Sequence, residues 1–165
     1  ENSADKQILK DTSHFRVFQP NSTMQNARAS FFHNSVGGYH GAKPRRLEQF
    51  YKLFLRSKKT SLLDILNVKY LIEEKDGSVN AIENPKNLGI AWFAEKIIFE
   101  ENPDSIYMNL LKFDLRKTAI IEKKKHDIIS YSNERRISQI ELLKNKPNEK
   151  IYNIKSNNCG RNKSI

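Results

Sequence analysis

The dipeptide Asp76-Gly77 stands between two short runs that are rich in β-branched and other apolar residues. Asp-Gly is among the strongest short signals of a two-residue β-hairpin, because both residues tolerate a positive φ. It predicts that a strand at 68–72 turns back directly into a return strand at 78–82. A chain with such a hairpin does not form a purely parallel sheet, so the signal narrows the fold to architectures with antiparallel pairing.

The clearest helix signal follows Pro44, which suits a first helical turn because its missing N–H has no partner there. Five apolar residues recur at the i, i+3, i+4, i+7, i+8 spacing of a buried stripe: Leu47, Phe50, Tyr51, Phe54 and Leu55. This periodicity indicates core packing and not a cofactor site. Shorter helices are predicted at 4–9, at 61–66 and after the cap-and-proline pair Asn102-Pro103.

Further strands are predicted from apolar runs and turn signals at 14–19, 90–100, 118–122, 137–143 and 150–154. Helices and strands interleave irregularly along the chain. The predicted fold is therefore α+β, with a mixed or antiparallel sheet that carries two or three packed helices. The apolar residues expected to share one core are Leu47, Phe50, Phe54, Leu63, Leu66, Tyr70, Ile72 and Trp92.

The composition changes at the charge run 123–126, which reads Lys-Lys-Lys-His. Runs of this kind are usually solvated, and this one marks a predicted domain boundary. The chain then divides into an α+β domain at 1–122 and a second part at 123–165, with a basic linker, two short strands and a frayed tail. The two strands would be the first strands of a C-terminal β-rich part.

The charge balance is strongly basic, with 29 Lys and Arg against 19 Asp and Glu and a net charge of +10. Such an excess favours an anionic partner, namely a nucleic acid, a membrane surface or a phosphorylated ligand. A basic composition equally fits an organism whose proteins are generally rich in Lys and Asn.

The single cysteine, Cys159, excludes an intrachain disulfide and a zinc site built from several cysteines. No run approaches the ~20 apolar residues of a membrane span, and the start at Glu1 indicates a fragment or a processed product.

The segment 31–46, FFHNSVGGYHGAKPRR, holds three of the six glycines, two histidines and three cations. Glycine allows positive φ and close backbone approach, so we expect a tight loop beside the start of the Pro44 helix. Backbone N–H groups and the dipole at a helix N-terminus favour a negative ligand. The alternative is a structural turn that packs its aromatics against the next helix. The candidate anion- or sugar-binding residues are His33, Gly38, Tyr39, His40, Lys43, Arg45 and Arg46.

No catalytic constellation is visible in the sequence. The chain has no HExxH, GxSxG, P-loop or GxGxxG element, so neither a metal nor a cofactor is predicted. His33 and His40 lie seven residues apart without an associated Cys or Glu cluster. Asp64 and Asp114 are candidate acids, although Asp64 is equally explained as a charge on a helix surface.

The residues that carry a family resemblance follow one another in order: Phe15-Arg16-Val17, then 26–33, 35–43 with Arg45-Arg46, 63–70, and Asn84-Pro85 with Leu88-Gly89 and Ala91-Trp92-Phe93. From about Ala4 to Glu122, this ordered set resembles the extracytoplasmic part of the YfhO family of bacterial membrane proteins, in versions like those of Bacteroidetes. Members of that family look like multi-pass proteins related to the polyprenyl-phosphate-dependent (GT-C) glycosyltransferases. Some are linked to sugar modification of cell-envelope polymers.

The resemblance implies a domain outside the cytoplasmic membrane, with the membrane part of the same polypeptide as its partner. No catalytic residue carries over, because such enzymes usually hold their acidic catalytic residue in the membrane part. The end of the chain, 159–165, does not resemble the further β-strands by which the family continues.

The expected function is that of an accessory domain that holds a polyprenyl-phosphate-linked sugar or an anionic envelope polymer near the membrane. One alternative is a basic nucleic-acid-binding domain that uses the same cations on phosphates. No RRM, KH, zinc-finger or helix-turn-helix signature supports that alternative. The other is a purely structural domain that braces the membrane part.

Overall fold

The computed structural model describes residues 1–22, 27–39, 42, 44–57, 59–123 and 138–156. Its helices are α1 Ser3–Ile8, α2 Arg28–Phe32, α3 Arg45–Ser57, α4 Ser61–Ile65 and α5 Pro103–Lys112. Its strands are β1 Arg16–Phe18, β2 Val68–Lys75, β3 Ser78–Glu83, β4 Lys96–Glu100, β5 Thr118–Glu122, β6 Ser138–Lys146 and β7 Glu149–Ser156. The predictions for His40, Lys43, the linker at 124–137 and the tail with Cys159 lie outside the described residues.

The first sheet confirms the predicted hairpin. Strands β2 and β3 pair antiparallel, with Lys75 opposite Ser78 across the turn. Asp76 and Gly77 have φ values of 52° and 74°, so both central residues lie in the left-handed region that Asp-Gly favours. Strand β1 adds to the other edge of β2 in parallel, which makes the sheet mixed. The fold class is therefore α+β, as predicted.

A second sheet is formed by β4 and β5, which run parallel with Lys96 opposite Thr118. Parallel strands need a long connection, and helix α5 lies within it. The strand predicted at 90–100 is shorter in the structure, because β5 pairs with β4 from Lys96 to Glu100. Residues 90–95 precede the first pair and do not form a strand.

The third sheet is the hairpin of β6 and β7, in which Lys146 lies opposite Glu149 across a two-residue turn. The strands predicted at 137–143 and 150–154 are found here with longer ends beside the turn. Within the described residues, the strands expected in one sheet at 1–122 form two small sheets, and the two strands predicted for the C-terminal part pair with each other in a third.

Polar interactions fix both ends of helix α5. The Asn102 side-chain oxygen accepts a hydrogen bond from the backbone N–H of Asp104 at 2.9 Å, and Pro103 is the first helical residue, as predicted. At the other end, the Lys59 ammonium donates to three carbonyl oxygens around the last turn at 2.8 to 3.1 Å. A cation there satisfies carbonyls without helical partners and is favoured by the helix dipole.

Two hydrophobic clusters replace the single predicted core. One lies around Val17 and α1, and the other lies around Phe18 with α3 and α4. Successive strand residues point to opposite faces of a sheet, so these two neighbours enter different clusters. The first cluster contains Ala4, Ile8, Val17, Ala29, Tyr70 and Ile72; the second contains Phe18, Phe54, Leu62, Leu63, Val68 and Leu115.

Two residues of the predicted core lie outside both clusters. Leu47 is 41% exposed and Trp92 is 38% exposed. Burial along α3 rises from Leu47 through the partly buried Phe50 to the buried Phe54, so the helix meets the second cluster through its C-terminal half. Trp92 lies in the segment 90–95, where no strand pairing holds the chain against a sheet. The prediction was wrong for these two positions.

Candidate functional site

The structure separates the predicted anion-binding residues into two groups. His33 turns inward, with a side chain that is 3% exposed and Nε2 3.0 Å from an Asp5 carboxylate oxygen. Gly38 is also buried and has a φ of 140°, a backbone conformation that favours glycine. Tyr39 is 67% exposed, and Arg45 is exposed as well. His33 and the exposed candidates therefore face different environments.

His33 belongs to a buried polar group that we call the Asp5 cluster, formed by Asp5, Arg28 and His33. The fully buried Asp5 carboxylate accepts hydrogen bonds from the Asn2 backbone N–H at 2.8 Å and from the Arg28 and His33 side chains. An ionised carboxylate only accepts, so His33 carries a proton on Nε2. Burial alone would raise the pKa of Asp5, but hydrogen bonds from Asn2, His33 and Arg28 outweigh it and lower that pKa. The cluster joins α1 to α2 and the segment after it.

Part of the Asp5 cluster has a signal in the sequence that the predictions missed. Asn2 and Asp5 have the spacing of a capping box, and both reciprocal hydrogen bonds form at the start of α1. The spacing explains an acid at position 5. It gives no information about Arg28 and His33, which lie 23 and 28 residues further along the chain.

A second polar group surrounds Asp11. Its carboxylate accepts from the Lys69 ammonium, from the Tyr70 hydroxyl at 2.9 Å, and from the backbone N–H and hydroxyl of Ser13. The hydrogen bond from Lys69 is the largest cause that lowers the pKa of Asp11, and Asp11 in turn raises the pKa of Lys69. Asp11, Ser13 and His33 border a cleft of about 350 Å³. Because Asp11 and Ser13 bind each other and His33 binds Asp5, these groups leave little for a ligand in the cleft.

The two acids noted in the sequence are both occupied by structural hydrogen bonds. Asp64 is buried and accepts from the Asn84 side-chain amide at 2.9 Å, while its backbone carbonyl accepts from Leu88 at 3.1 Å. These contacts tie the segment after β3 to helix α4. Asp114 accepts from the guanidinium of Arg116 at 3.0 Å, and this hydrogen bond lowers the pKa of Asp114. Neither acid lies in a paired-carboxylate arrangement within the described residues.

Arg45 and Arg46 begin helix α3, and together with Tyr39, which precedes Arg45 by six residues in the chain, we call them the α3 entry surface. The helix begins at Arg45, and the carbonyl of Pro44 accepts the first helical hydrogen bond from Glu48 at 3.1 Å. The helix therefore begins one residue after Pro44, whereas the sequence predicted Pro44 in the first helical turn. Assignments of helix ends commonly differ by one or two residues. The Arg46 guanidinium lies 2.9 Å from the Glu122 carboxylate, yet its side chain remains 64% exposed.

The described residues contain no group of three or more His, Cys, Asp or Glu side chains placed to hold a metal ion. In the same part of the chain, no helix has the length and apolar character needed to cross a membrane. Comparison with known proteins found no matching family model, curated protein or solved structure.

Proposed function

We propose that this chain is the extracytoplasmic accessory domain of a YfhO-like membrane protein and serves cell-envelope glycosylation with polyprenyl-phosphate-linked sugars. In this role the domain binds and the membrane part of the same polypeptide carries out the chemistry. The α3 entry surface receives the phosphate of the lipid-linked sugar or an anionic envelope polymer. The observation that carries the proposal is the mutual packing of the motifs that resemble the family.

Those motifs lie far apart along the chain but contact one another in the fold. The β1 motif pairs in parallel with β2, which begins inside the motif at 63–70. The Asn84 side chain donates to Asp64 at 2.9 Å, which connects a third motif to the same segment. The backbone N–H of Val36 donates to the carbonyl of Val17 at 2.9 Å, which connects the glycine-loop motif to β1. Motifs that form one connected unit support a common domain.

The α3 entry surface has a chemistry that suits a sugar attached to a phosphate. Arginine binds phosphate with two parallel hydrogen bonds, and Arg45 and Arg46 are neighbours. A tyrosine such as Tyr39 offers an apolar ring face and a hydroxyl that hydrogen-bonds. In the ion pair of Arg46 with Glu122, the arginine side chain is 64% exposed and the glutamate side chain is 15% exposed. Because a guanidinium carries five N–H donors, a phosphate can bind the exposed side of Arg46 while its contact with Glu122 is kept.

A titration with soluble polyphosphate tests the binding role. In the isotopically labelled chain at low salt, the amide signals of Tyr39 and of residues 45–48 are expected to shift first. Replacing Arg45 and Arg46 together by Gln should weaken binding by roughly tenfold, since hydrogen bonds to charged groups contribute about 1.5–3 kcal/mol. The matched control replaces Lys75 and Lys155, which are exposed elsewhere, and should weaken binding far less. If the amide signals of residues 45–48 do not shift at millimolar polyphosphate while others do, the assigned surface is wrong.

The membrane setting is tested by the gene around the codon for Glu1. The proposal expects several membrane spans in the same reading frame, and a complete reading frame without spans would contradict it. A DNA duplex that binds more tightly than polyphosphate at equal salt would favour the nucleic-acid-binding alternative instead. If no anion binds, the buried Asp5 cluster favours the purely structural role, since it places His33 in the interior.

A further inference from the structure

A cavity of about 500 Å³ opens where strand β1 begins, and we call it the β1 pocket. Its volume falls in the range of roughly 300–1,000 Å³ that is typical of small-molecule sites. His33 forms part of its wall, whereas the three residues of the α3 entry surface do not line it. The polar residues that matter for its chemistry are His14, Arg16, Asn34, Ser35, Asn67 and Lys150.

The lining of the β1 pocket is positively charged. Arg16 and Lys150 supply two cations, and no Asp or Glu stands among the described lining residues. Neither cation forms an ion pair within the described parts of the chain. Arg46 and Arg116, by contrast, each have a carboxylate partner. Two unpaired cations beside one cavity favour a negatively charged occupant.

Hydrogen bonds hold the walls of the pocket in place. The backbone carbonyl of Asn67 accepts a hydrogen bond from the backbone N–H of Arg16 at 2.8 Å. The side-chain amide of Asn67 donates to the backbone carbonyl of His14 at 2.8 Å. On the opposite side of β1, the carbonyl of Asn34 accepts from the N–H of Val17 at 2.8 Å. Because the backbone around Arg16 is already ordered, a ligand pays less conformational entropy on binding.

The uncharged groups of the pocket suit hydroxyls. The Ser35 hydroxyl oxygen accepts from the N–H of Gly37 at 3.1 Å, which leaves its O–H available as a donor. The side-chain amides of Asn34 and Asn145 each offer donors and an acceptor. The ring of Phe15 adds an apolar wall. The pocket can therefore orient a ligand through its hydroxyl groups, in addition to neutralising its negative charge.

We propose that the β1 pocket binds a small organic phosphate with a hydroxyl-rich body, of the sugar-phosphate class. The Arg16 guanidinium holds the phosphate through two hydrogen bonds, and the Lys150 ammonium adds a point charge. The serine and asparagine side chains bind the hydroxyls. The inference is independent of the proposed function, because no residue of the α3 entry surface takes part.

Glucose 6-phosphate is the probe, titrated at low salt into the isotopically labelled 165-residue chain. We expect saturable binding that shifts the amide signals of Asn34, Asn67 and Gly89 before those of residues 45–48. Arg16→Gln should weaken binding about tenfold or more, as the loss of a charge-assisted hydrogen bond implies. The matched control Arg116→Gln removes the same charge outside both the pocket and the α3 entry surface, and it should change binding less than about twofold. Glucose without phosphate should bind far more weakly.

A second pair of variants keeps the test independent of Arg16. Lys150→Gln should weaken binding, whereas Lys155→Gln on the same strand, outside the pocket lining, should not. Inorganic phosphate that binds as tightly as glucose 6-phosphate would overturn the assignment of a hydroxyl-rich body. Shifts confined to residues 45–48, or none at millimolar probe, would overturn the site. Arg16-dependent sedimentation with vesicles that contain phosphatidic acid, and no response to glucose 6-phosphate, would place the phosphate on a lipid and overturn the sugar-phosphate class.

Discussion

The Asp5 cluster and the α3 entry surface use the same kinds of side chain in opposite ways. In the Asp5 cluster, Arg28 and His33 converge on one buried carboxylate. On the α3 entry surface, Arg45 is exposed and Arg46 meets its acid at the protein surface. All four of these cationic or titratable residues lie within the loop segment 31–46 or, in the case of Arg28, just before it. The difference teaches that a binding role depends on what a cation already contacts, and not on local composition.

The largest expected effect comes from breaking the Asp5 cluster. Asp5→Ala leaves the buried His33 ring without its acceptor, removes an ion pair from Arg28 and breaks the capping box of α1, and together these losses should cost about 3–5 kcal/mol. Chemical denaturation measures the free energy of unfolding. The matched control is Asp114→Ala, which removes an exposed acid paired with Arg116 and should cost no more than about 1 kcal/mol. Equal losses in the two variants would show that the Asp5 cluster is not a stabilising element.

Single substitutions in the Asp5 cluster and in the α3 entry surface should have smaller effects, and these should separate a role in stability from a role in binding. His33→Ala removes a hydrogen bond to a charged group and should lower the free energy of unfolding by about 1.5–3 kcal/mol. Its polyphosphate affinity should stay unchanged, because His33 lies in the interior. Arg45→Gln should show the reverse, with unchanged stability and weaker binding. A His33→Ala variant that folds stably but loses polyphosphate binding would contradict the separation.

The pH dependence of stability tests the second polar group. The pKa of Asp11 is lowered in the folded state, mainly by Lys69, from an unfolded value of about 3.9. Its ion pair therefore stabilises the fold above about pH 4, and this contribution is lost as the pH falls through that value towards the folded pKa. Asp11→Asn should flatten the decline in stability below pH 4. Glu74→Gln, an exposed change on β2, serves as the control, and an unflattened curve for Asp11→Asn would count against the ion pair.

The smallest expected effect concerns the surface pair of Arg46 with Glu122. Glu122→Gln should change the free energy of unfolding by about 1 kcal/mol, because the Arg46 end of the pair is 64% exposed to solvent and the glutamine keeps an oxygen that accepts the hydrogen bond. It should also strengthen polyphosphate binding slightly, since a competing carboxylate is removed from Arg46. Moderate salt should reduce this gain, because screening acts strongly on exposed charges. Weaker binding by Glu122→Gln would show that the carboxylate orients the arginine for its ligand.

Local sequence signals were sufficient for much of the secondary structure. The Asp76-Gly77 turn and the Asn102-Pro103 helix start each depend on a few adjacent residues, and both were predicted correctly. The reason is that their conformational preferences act over one turn of chain. The periodic stripe of α3 likewise predicted a helix, and Tyr51 and Phe54 of that stripe are buried.

The candidate site was decided by contacts between distant residues. The sequence assigned His33 and Arg46 to one loop, but Asp5 lies 28 residues from His33 and Glu122 lies 76 residues from Arg46. The division into two hydrophobic clusters depends in the same way on β1 pairing with β2, which begins 52 positions after it. Residue types and spacing by themselves determined most of the helices, strands and turns, with residues 90–95 as an exception because no strand pairs with them. Only the tertiary structure decided which charged side chains are paired in the interior and which stay exposed to solvent, because that depends on which elements pack against each other.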